Sequence, residues 1–191
     1  MSRRGSGLPP PPGSVRVRRI VSADLAPTEL AQLGDLFAAC WPSDGFSPDD
    51  LDHALGGVHW VAEADGRVVA HASVVERVLE ADGRPMRTGY VEAVATLAAW
   101  RHRGIATRLM DLAGAHIRAT FELGALSTDV HGLYERLGWE RWRGPTFVRT
   151  AGGALRTDDE DDGIMILRTP RTPPLSPAEA LSCEWRAGDA W

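Results

Sequence analysis

The part of the chain that most constrains its fold is residues 89–123, where an apolar segment passes through a short basic turn into a helical segment. The first half is rich in β-branched and small apolar residues, which is typical of a buried strand. In the second half the apolar side chains recur at roughly helical spacing, at Ile105, Leu109, Leu112 and Ile117. The pattern therefore predicts a strand, a turn and a helix in succession.

The turn between them reads Arg101-His102-Arg103-Gly104-Ile105-Ala106 and has the composition of an anion site. The first amides of a helix have no intrahelical acceptor, and the helix dipole adds partial positive charge there. Glycine and alanine leave these amides open to a phosphate or pyrophosphate. An ordinary strand-to-helix turn with a capping glycine explains the same residues, so the motif alone leaves both interpretations open.

The composition limits the chemistry that is available. The 191 residues, 43% hydrophobic and 25% charged, suit one globular domain with a sizeable core. A net charge of -5 argues against a nucleic-acid partner. The sequence contains no lysine, which excludes a lysine nucleophile or a Schiff base.

Targeting signals and metal-binding patterns are also missing from the sequence. Cys40 and Cys183 lie far apart and fit no zinc pattern, so we expect free thiols and no metal. No segment approaches the roughly 20 apolar residues of a membrane span, and the amino-terminal residues resemble no secretory signal. We expect a cytoplasmic protein without a membrane partner. Residues 1–14, rich in Gly, Pro and Ser, should form a disordered tail before a single domain at residues 15–191.

Turn and cap signals divide the domain into elements. Two hairpin turns are predicted at Asp65-Gly66 and Asp82-Gly83, and they join three strands. Ser47-Pro48 should begin a short helix that Gly56-Gly57 ends. The remaining predictions are strands at 15–20, 125–127, 142–148 and 163–167, helices at 27–40, 133–139 and 176–179, and an acidic loop at 158–162.

These features resemble a known superfamily. The motif R-x-x-G-x-A resembles the acyl-CoA pyrophosphate loop of the GNAT N-acetyltransferases, and the element order matches their α/β arrangement, a mixed central sheet with helices on both faces. From about residue 15 to residue 191 the chain resembles one family within it, the aminoglycoside 2'-N-acetyltransferases. The segments that carry this resemblance are Leu55-Gly56-Gly57, Gly89-Tyr90-Val91-Glu92, Ala99-Trp100-Arg101, Leu123-Gly124-Ala125-Leu126-Ser127, Gly138-Trp139, Trp142-x-Gly144-Pro145-Thr146 and the specific terminal block Cys183-Glu184-Trp185-Arg186-Ala187-Gly188-Asp189-Ala190-Trp191.

The family transfers acetyl from acetyl-CoA to the 2'-amine of aminoglycosides, so the resemblance implies both substrates, a homodimer and antibiotic resistance as a consequence. It assigns the pyrophosphate to Arg101, His102, Arg103, Gly104, Ile105 and Ala106, and the pantetheine arm to Val94, Ala95 and Thr96. It places the aminoglycoside against Asp44, Glu92, Ala93, Ser127, Glu160, Asp161, Asp189 and Trp191, with the α-carboxylate of Trp191 as a further anion.

The residue types agree with a polycationic substrate, whose site needs carboxylates and hydroxyls. A charge run such as 158–162 is more often a solvated loop, and Asp44 equally suits a turn before Gly45. Glu92 has no such simple alternative, because an ionised carboxylate within an apolar strand needs a cleft or a partner.

We expect direct transfer in a ternary complex. Glu92, acting through water, is the best candidate for the base that deprotonates the attacking ammonium, and the carboxyl terminus is a second candidate. The Val94 N–H is the candidate for polarising the thioester carbonyl. Tyr134 lies where the superfamily often keeps the acid for the CoA thiolate, although a core aromatic explains it too. His71 and His131 are interpreted as structural.

Two other functions fit the same residues. One is a GNAT acetyltransferase that acts on another small polyamine or amino sugar. The other is a non-catalytic module that binds acyl-CoA or polycations, which would release no thiol from acetyl-CoA.

Overall fold

The computed structural model describes residues 14–42 and 46–191 of the chain. The strands are β1 (Arg16–Val21), β2 (Val58–Ala64), β3 (Arg67–Ala81), β4 (Arg84–Thr96), β5 (Leu123–Ser127), β6 (Glu140–Arg141), β7 (Thr146–Thr150), β8 (Gly153–Arg156), β9 (Ile164–Arg168) and β10 (Leu181–Glu184). The helices are α1 (Pro27–Cys40), α2 (Pro48–Ala54), α3 (Ile105–Thr120) and α4 (His131–Glu135). Apart from Ser14, the tail predicted to be disordered lies outside the described residues.

The strands form one mixed sheet in the order β6-β9-β5-β4-β3-β10-β7-β8, with β2 on β3 and β1 on β2. The pairs β4–β5 and β10–β7 are parallel, and the other pairs are antiparallel. β3 is long enough to pair with β2 along residues 67–74 and with β10 at residues 81 and 80. The last strand is thereby inserted into the middle of the sheet.

Local signals in the sequence build the first half of this sheet. Both predicted hairpin turns have positive φ at the two central residues, 51° and 75° at Asp65-Gly66 and 49° and 73° at Asp82-Gly83. Such turns match the twist of antiparallel strands. The cap of α2 is also as predicted, since Ser47 Oγ accepts the Asp50 N–H at 3.2 Å while Asp50 Oδ2 accepts the Ser47 N–H at 2.7 Å.

Helices cover both faces of the sheet, which confirms the predicted α/β architecture. Alternate residues of β2 enter different cores, because side chains alternate along a strand. Trp60 and Ala62 pack in the cluster that contains α3, whereas Val61 packs with Leu33 of α1. A third cluster lies under the second half of the sheet and includes Tyr90, Trp142, Cys183 and Trp191.

The carboxyl-terminal part differs from the sequence predictions. The strand predicted at 142–148 corresponds to β7, but its predicted start is wrong, because the chain bends after β6 and β7 begins at Thr146. Gly144 packs so tightly in this bend that a Cβ would lie 1.8 Å from the Glu179 carbonyl oxygen. The helical turn predicted at 176–179 is a non-helical turn, and β8 and β10 were not predicted.

Candidate active site

The site begins where β4 separates from β5. The two strands pair only along residues 88–90 of β4, and they diverge beyond Tyr90. On its other edge β4 carries a bulge, since Ser73 pairs with Glu92 and His71 pairs with Ala95. Between these two pairs β4 advances by three residues while β3 advances by two, so β4 contains one extra residue. Ala93, within the bulge, has a φ of 49°, a left-handed conformation that is uncommon for a residue with a Cβ.

The divergence opens a cleft of about 1170 Å³. Most of the predicted site residues line it together, namely Glu92, Ala93, Val94, Ala95, Thr96, Arg101, His102, Gly104, Ile105, Ala106, Ser127, Tyr134, Glu160, Asp189 and Trp191. The sequence therefore identified the surroundings of one cavity from segments far apart in the chain.

One part of the cleft is the amino terminus of α3. Gly104 is its N-cap with a φ of 73°, and no side chain of the described residues caps this end. A Cβ at Gly104 would meet nothing within 4 Å, so the glycine leaves open space beside the first amides of the helix. Those amides have no intrahelical acceptor and carry the positive end of the helix dipole, which suits an anion.

The arginines of this turn are mostly engaged with the protein itself. Arg101 Nε donates to the Thr96 carbonyl at 3.1 Å. The Arg103 guanidinium lies over the Trp100 ring, 4.7 Å from its centroid, and Arg103 does not line the cleft. The backbone of the turn, rather than its guanidinium groups, therefore presents the anion-binding surface.

Another part of the cleft is strongly acidic. We call the lining carboxylates the acidic cluster; its members are Asp50, Glu92, Asp129, Asp159, Glu160, Asp162 and Asp189. Burial and the negative charge of Asp189 raise the pKa of Glu160, whose Oε2 accepts the Ser127 hydroxyl at 3.1 Å. The part of this rise that comes from Asp189 reflects two neighbouring negative charges, an arrangement that favours a bound cation.

Glu92 has a charged partner that the sequence analysis missed. Its Oε1 accepts a hydrogen bond from Arg186 Nη1 at 2.6 Å, and both side chains are largely buried, 14% and 16% exposed. Burial raises the pKa of the Glu92 carboxyl, and the positive charge of Arg186 opposes that rise. Glu92 is thus a buried carboxylate at a bulge with a pKa above its ordinary value, a frequent property of functional acids and bases.

Arg186 also organises the carboxyl-terminal segment. Its Nε donates to the Asp189 carbonyl at 2.8 Å and its Nη2 donates to the main-chain oxygen of Trp191 at 3.2 Å. The Trp191 indole N–H in turn donates to Thr157 Oγ1 at 3.1 Å. These contacts fold residues 185–191 back against β4, so that Asp189 joins the acidic cluster.

Of the predicted substrate residues that the structure describes, Asp161 does not line the cleft. Asp161 pairs with Arg156, and its Oδ1 accepts the Thr146 amide and hydroxyl, each at 3.0 Å. This carboxylate is used in attaching the acidic loop to β7, and its neighbours Glu160 and Asp162 line the cleft instead. Asp44, with Gly45, lies outside the described residues.

Tyr134 lies near the end of the short helix α4, buried beside Trp139 and lining the cleft. Burial raises the pKa of its hydroxyl to about 12, so the phenol keeps its proton at neutral pH. The cleft wall opposite the acids includes Trp41 and Phe46, stacked with centroids 5.1 Å apart. No spacing signal in the sequence pointed to this aromatic pair.

Two buried histidines lie behind the bulge. His71 Nδ1 is 2.8 Å from the Ala93 carbonyl oxygen, and His71 Nε2 is 2.9 Å from His59 Nδ1. His59 Nε2 is 2.7 Å from Ser22 Oγ. Both rings are fully inaccessible to solvent, and burial lowers the pKa of His59 to about 4 and of His71 to about 3. The sequence interpretation of His71 as structural and hydrogen-bonded agrees with these contacts.

Within residues 14–42 and 46–191 no group of three or more His, Cys, Asp or Glu side chains is arranged to hold a metal ion. In the same part of the chain no helix is long and apolar enough to cross a membrane. Cys40 and Cys183 are free thiols there.

Comparison with known structures identifies the fold. The E. coli protein YhbS, a GNAT family N-acetyltransferase solved with CoA, aligns with a TM-score of 0.62 at 14% identity over 94% of this chain and 93% of its own. A GNAT acetyltransferase from Brucella melitensis, solved with acetyl-CoA, aligns with a TM-score of 0.59 at 19% identity over 91% and 96%. The chain spans only 33% of a probable N-acyltransferase from Enterococcus faecalis, at a TM-score of 0.57.

Sequence comparison narrows the class. The family described as "Acetyltransferase (GNAT) domain" matches residues 56–141, and with the fold this makes the chain a GNAT acetyltransferase. An aminoglycoside 2'-N-acetyltransferase from Mycolicibacterium fortuitum is 41% identical over 150 residues, which cover 76% of this chain and 77% of the relative. The chain belongs to the aminoglycoside 2'-N-acetyltransferase family.

The histidine pair predicts an acid-sensitive fold. Because the folded-state pKa values lie below the ordinary 6.5, the unfolded chain binds protons that the folded chain does not, and stability falls as pH drops below 6.5. At pH 5 each histidine should reduce the free energy of unfolding by about 2 kcal/mol relative to pH 8. Urea unfolding at both pH values measures the loss.

The control is a His59→Gln/His71→Asn variant, in which this part of the pH dependence should disappear. NMR titration of the imidazole resonances in the unmutated protein gives a second readout. Ring shifts of either histidine that titrate near pH 6.5 in the folded protein would contradict the prediction.

Proposed function

We propose that this protein transfers the acetyl group of acetyl-CoA to the 2'-amine of an aminoglycoside, directly between the two bound substrates. The observation that carries the proposal is that one cleft combines an anion-binding helix terminus, a bulged strand with an open edge and a cluster of carboxylates. A phosphorylated acyl donor and a polycationic acceptor are the two ligands that such a combination suits.

The described residues fit acetyl-CoA. The uncapped amides of α3 beside Gly104 would bind the pyrophosphate, and Arg101, His102, Ile105 and Ala106 line that position. The free edge of β4 at Val94, Ala95 and Thr96 would pair with the amides of the pantetheine arm. When bound, acetyl-CoA supplies an activated acyl group as a thioester. The name of the Mycolicibacterium fortuitum relative supports the same assignment, and a GNAT protein of the same fold was solved with acetyl-CoA.

The acidic cluster would hold the aminoglycoside through its ammonium groups. Glu160, Asp162 and Asp189 line the cleft with Ser127, and the cation would relieve the repulsion that raises the pKa of Glu160. Arg186 is the cation that already sits beside Glu92. Its positive charge offsets the contribution of Glu92 to the negative potential of the cleft. The substrate ammoniums would therefore be held mainly by the other acids.

The reacting amine must lose a proton, and the binding carboxylates oppose that loss because they stabilise the ammonium. Glu92 resolves part of this conflict. Its raised pKa makes it a stronger base than an exposed carboxylate, and its position at the bulge places it beside the backbone that would hold the acyl group. The Val94 N–H would stabilise negative charge that develops on the acyl oxygen.

Tyr134 would return a proton to the departing sulfur. Its pKa of about 12 keeps the hydroxyl protonated over the working pH range, which an acid requires. The homodimer and a resistance role stay predictions of the family resemblance, and the cytoplasmic location stays a prediction from the sequence.

The substrate assignment is tested with a matched pair of drugs. Kanamycin B carries an amine at the 2' position where kanamycin A carries a hydroxyl, and the two are otherwise alike. We expect thiol release from acetyl-CoA with kanamycin B and at least about a hundredfold less with kanamycin A, since the nucleophile is missing. NMR of the product locates the acetyl group. Equal rates with both drugs, or release only with linear polyamines, would refute the 2'-amine assignment.

Removing the base should affect turnover and spare donor binding. In Glu92→Gln we expect kcat to fall by about 10²- to 10⁴-fold, while the Kd for acetyl-CoA changes less than about threefold. Tyr134→Phe should likewise lower kcat alone. Calorimetry gives the Kd and a thiol-release assay gives kcat. A protein that binds acetyl-CoA but releases no thiol even unmutated would be a binding module.

The charge of Arg186 should determine the pH at which kcat falls on the acidic side of its pH profile. A base must be ionised, so kcat falls as pH drops through the pKa of Glu92. Loss of the guanidinium in Arg186→Gln raises that pKa further, and the limb should move to higher pH. Arg186→Lys keeps the charge and is the matched control, with a limb near that of the unmutated protein. If the acidic limb of the kcat profile does not move in Arg186→Gln, Glu92 is not the base whose ionisation controls kcat.

A further inference from the structure

The hydrogen bonds of the two histidines behind the bulge have a fixed direction. The Ala93 carbonyl oxygen can only accept, so His71 Nδ1 carries the proton and His71 Nε2 is an acceptor. His59 Nδ1 must therefore donate to His71, which makes His59 Nε2 an acceptor. The Ser22 hydroxyl proton then goes to His59 Nε2 at 2.7 Å rather than to the Gly57 carbonyl oxygen, which lies farther away at 3.2 Å. A neutral imidazole has one donor and one acceptor nitrogen, and both rings use both.

The other end of this chain of hydrogen bonds is anchored in the backbone. Ser22 Oγ accepts the amides of Gly56 and Gly57 at 2.8 and 2.9 Å, in the turn between α2 and β2. The lowered pKa values of both histidines keep the rings neutral, so these tautomers persist at working pH. We call the series Ser22, His59 and His71 the histidine relay.

The relay ends on a strained peptide. Ala93 adopts a φ of 49°, and a residue with a Cβ stays in this conformation only when its surroundings hold it there. Two side chains of β3 do so: His71 binds the Ala93 carbonyl at 2.8 Å, and Ser73 Oγ donates to the Glu92 carbonyl at 3.2 Å. Both consecutive carbonyls of the bulge are thus fixed from the β3 side.

The orientation of one carbonyl fixes the next amide. All peptide bonds of the described residues are trans, and the C=O and N–H of a trans peptide point to opposite sides. With the Ala93 oxygen held by His71, the Val94 N–H of the same peptide must point away from His71. Val94 lines the cleft, on the edge where β4 has left β5.

We propose that His71 is a positioning residue, which acts through the Ala93 carbonyl to aim the Val94 amide at the acyl oxygen of the donor. Ser22 and His59 support it by fixing the tautomer and orientation of its ring. The inference rests on the proposed function, because it gives the Val94 N–H its role. It assigns a catalytic consequence to a residue that touches neither substrate.

The test compares two substitutions of His71. Asparagine places an amide N–H near the position of Nδ1 and should keep the bond to Ala93, whereas leucine fills the space without a donor. His71→Leu should lower kcat by about tenfold to a hundredfold, since displacing a single donor to a developing oxyanion has effects of that order. The KM for the aminoglycoside should stay within about threefold, and His71→Asn should recover most of kcat.

A matched control separates positioning from loss of stability. Leu79 is fully buried in β3 but packs in the cluster under the second half of the sheet. Leu79→Ala should lower the melting temperature at least as much as His71→Leu does, with kcat nearly unchanged. Equal kcat losses in Leu79→Ala and His71→Leu, or no recovery in His71→Asn, would overturn the proposal.

Binding of a thioether analogue measures how much the acyl oxygen contributes to the affinity for acetyl-CoA. S-ethyl-CoA lacks the carbonyl oxygen of acetyl-CoA, so a preference for acetyl-CoA in calorimetry reports on the donor aimed at that oxygen. The preference should be lost in His71→Leu and kept in His71→Asn. Equal preferences in the unmutated protein and in His71→Leu would contradict the inference.

The last readout needs no activity. The ¹⁵N resonance of Val94 responds to the hydrogen bond on the Ala93 carbonyl, so in the ligand-free protein it should shift in His71→Leu and return in His71→Asn. An unshifted Val94 resonance in His71→Leu overturns the proposal even if the unmutated protein is inactive. If the Val94 resonance shifts in His71→Leu but the unmutated protein releases no thiol, the proposed function is contradicted. His71 would then still be the residue that fixes the conformation of the bulge.

Discussion

The separation of β4 from β5 creates the whole site, because a parallel pair that continued beyond Tyr90 would close the cleft with its own hydrogen bonds. An open strand edge inside a sheet exposes unpaired backbone groups, which are costly when nothing binds them. The bulge at Ala93 stores further strain. The surrounding packing tolerates this arrangement since α3 and α1 cover both faces of the same strands.

The electrostatics of the cleft depend on how its charges are separated. A uniformly acidic site would bind a polycation tightly and would also keep the attacking amine protonated. Here Arg186 sits against Glu92, while burial and the negative charge of Asp189 raise the pKa of Glu160. In the proposed function, the arginine thus divides one acidic surface into carboxylates that would bind the substrate ammoniums and one carboxylate, Glu92, that would act as the base.

Local signals in the sequence were enough for the hairpins at Asp65 and Asp82, the cap at Ser47 and the glycine at the start of α3, because each is decided by a few neighbouring residues. The strand β10 is short and is formed by pairing with distant strands, so no periodicity marked it. The strand β8 forms a hairpin with β7 through the two-residue turn Ala151-Gly152, a local signal that the sequence analysis did not use. The partner of Glu92 lies 94 residues away, and no spacing rule connects positions so distant. Asp161, which the resemblance assigned to the aminoglycoside site, instead pairs with Arg156 only five residues away and does not line the cleft.

The two sides of the acidic cluster are attached to the sheet in different ways. Residues 185–191 continue directly from β10, which is paired on both edges, with β3 and β7. Asp189 is therefore fixed by a central strand and by the bonds of Arg186. Glu160 instead lies in a short 3-10 turn between β8 and β9, attached through Asp161. Because Asp189 is attached to a central strand and Glu160 lies in a loop, and loops vary more readily than the elements they connect, we expect the range of substrates in the proposed function to vary with residues 158–162 rather than with the terminal block.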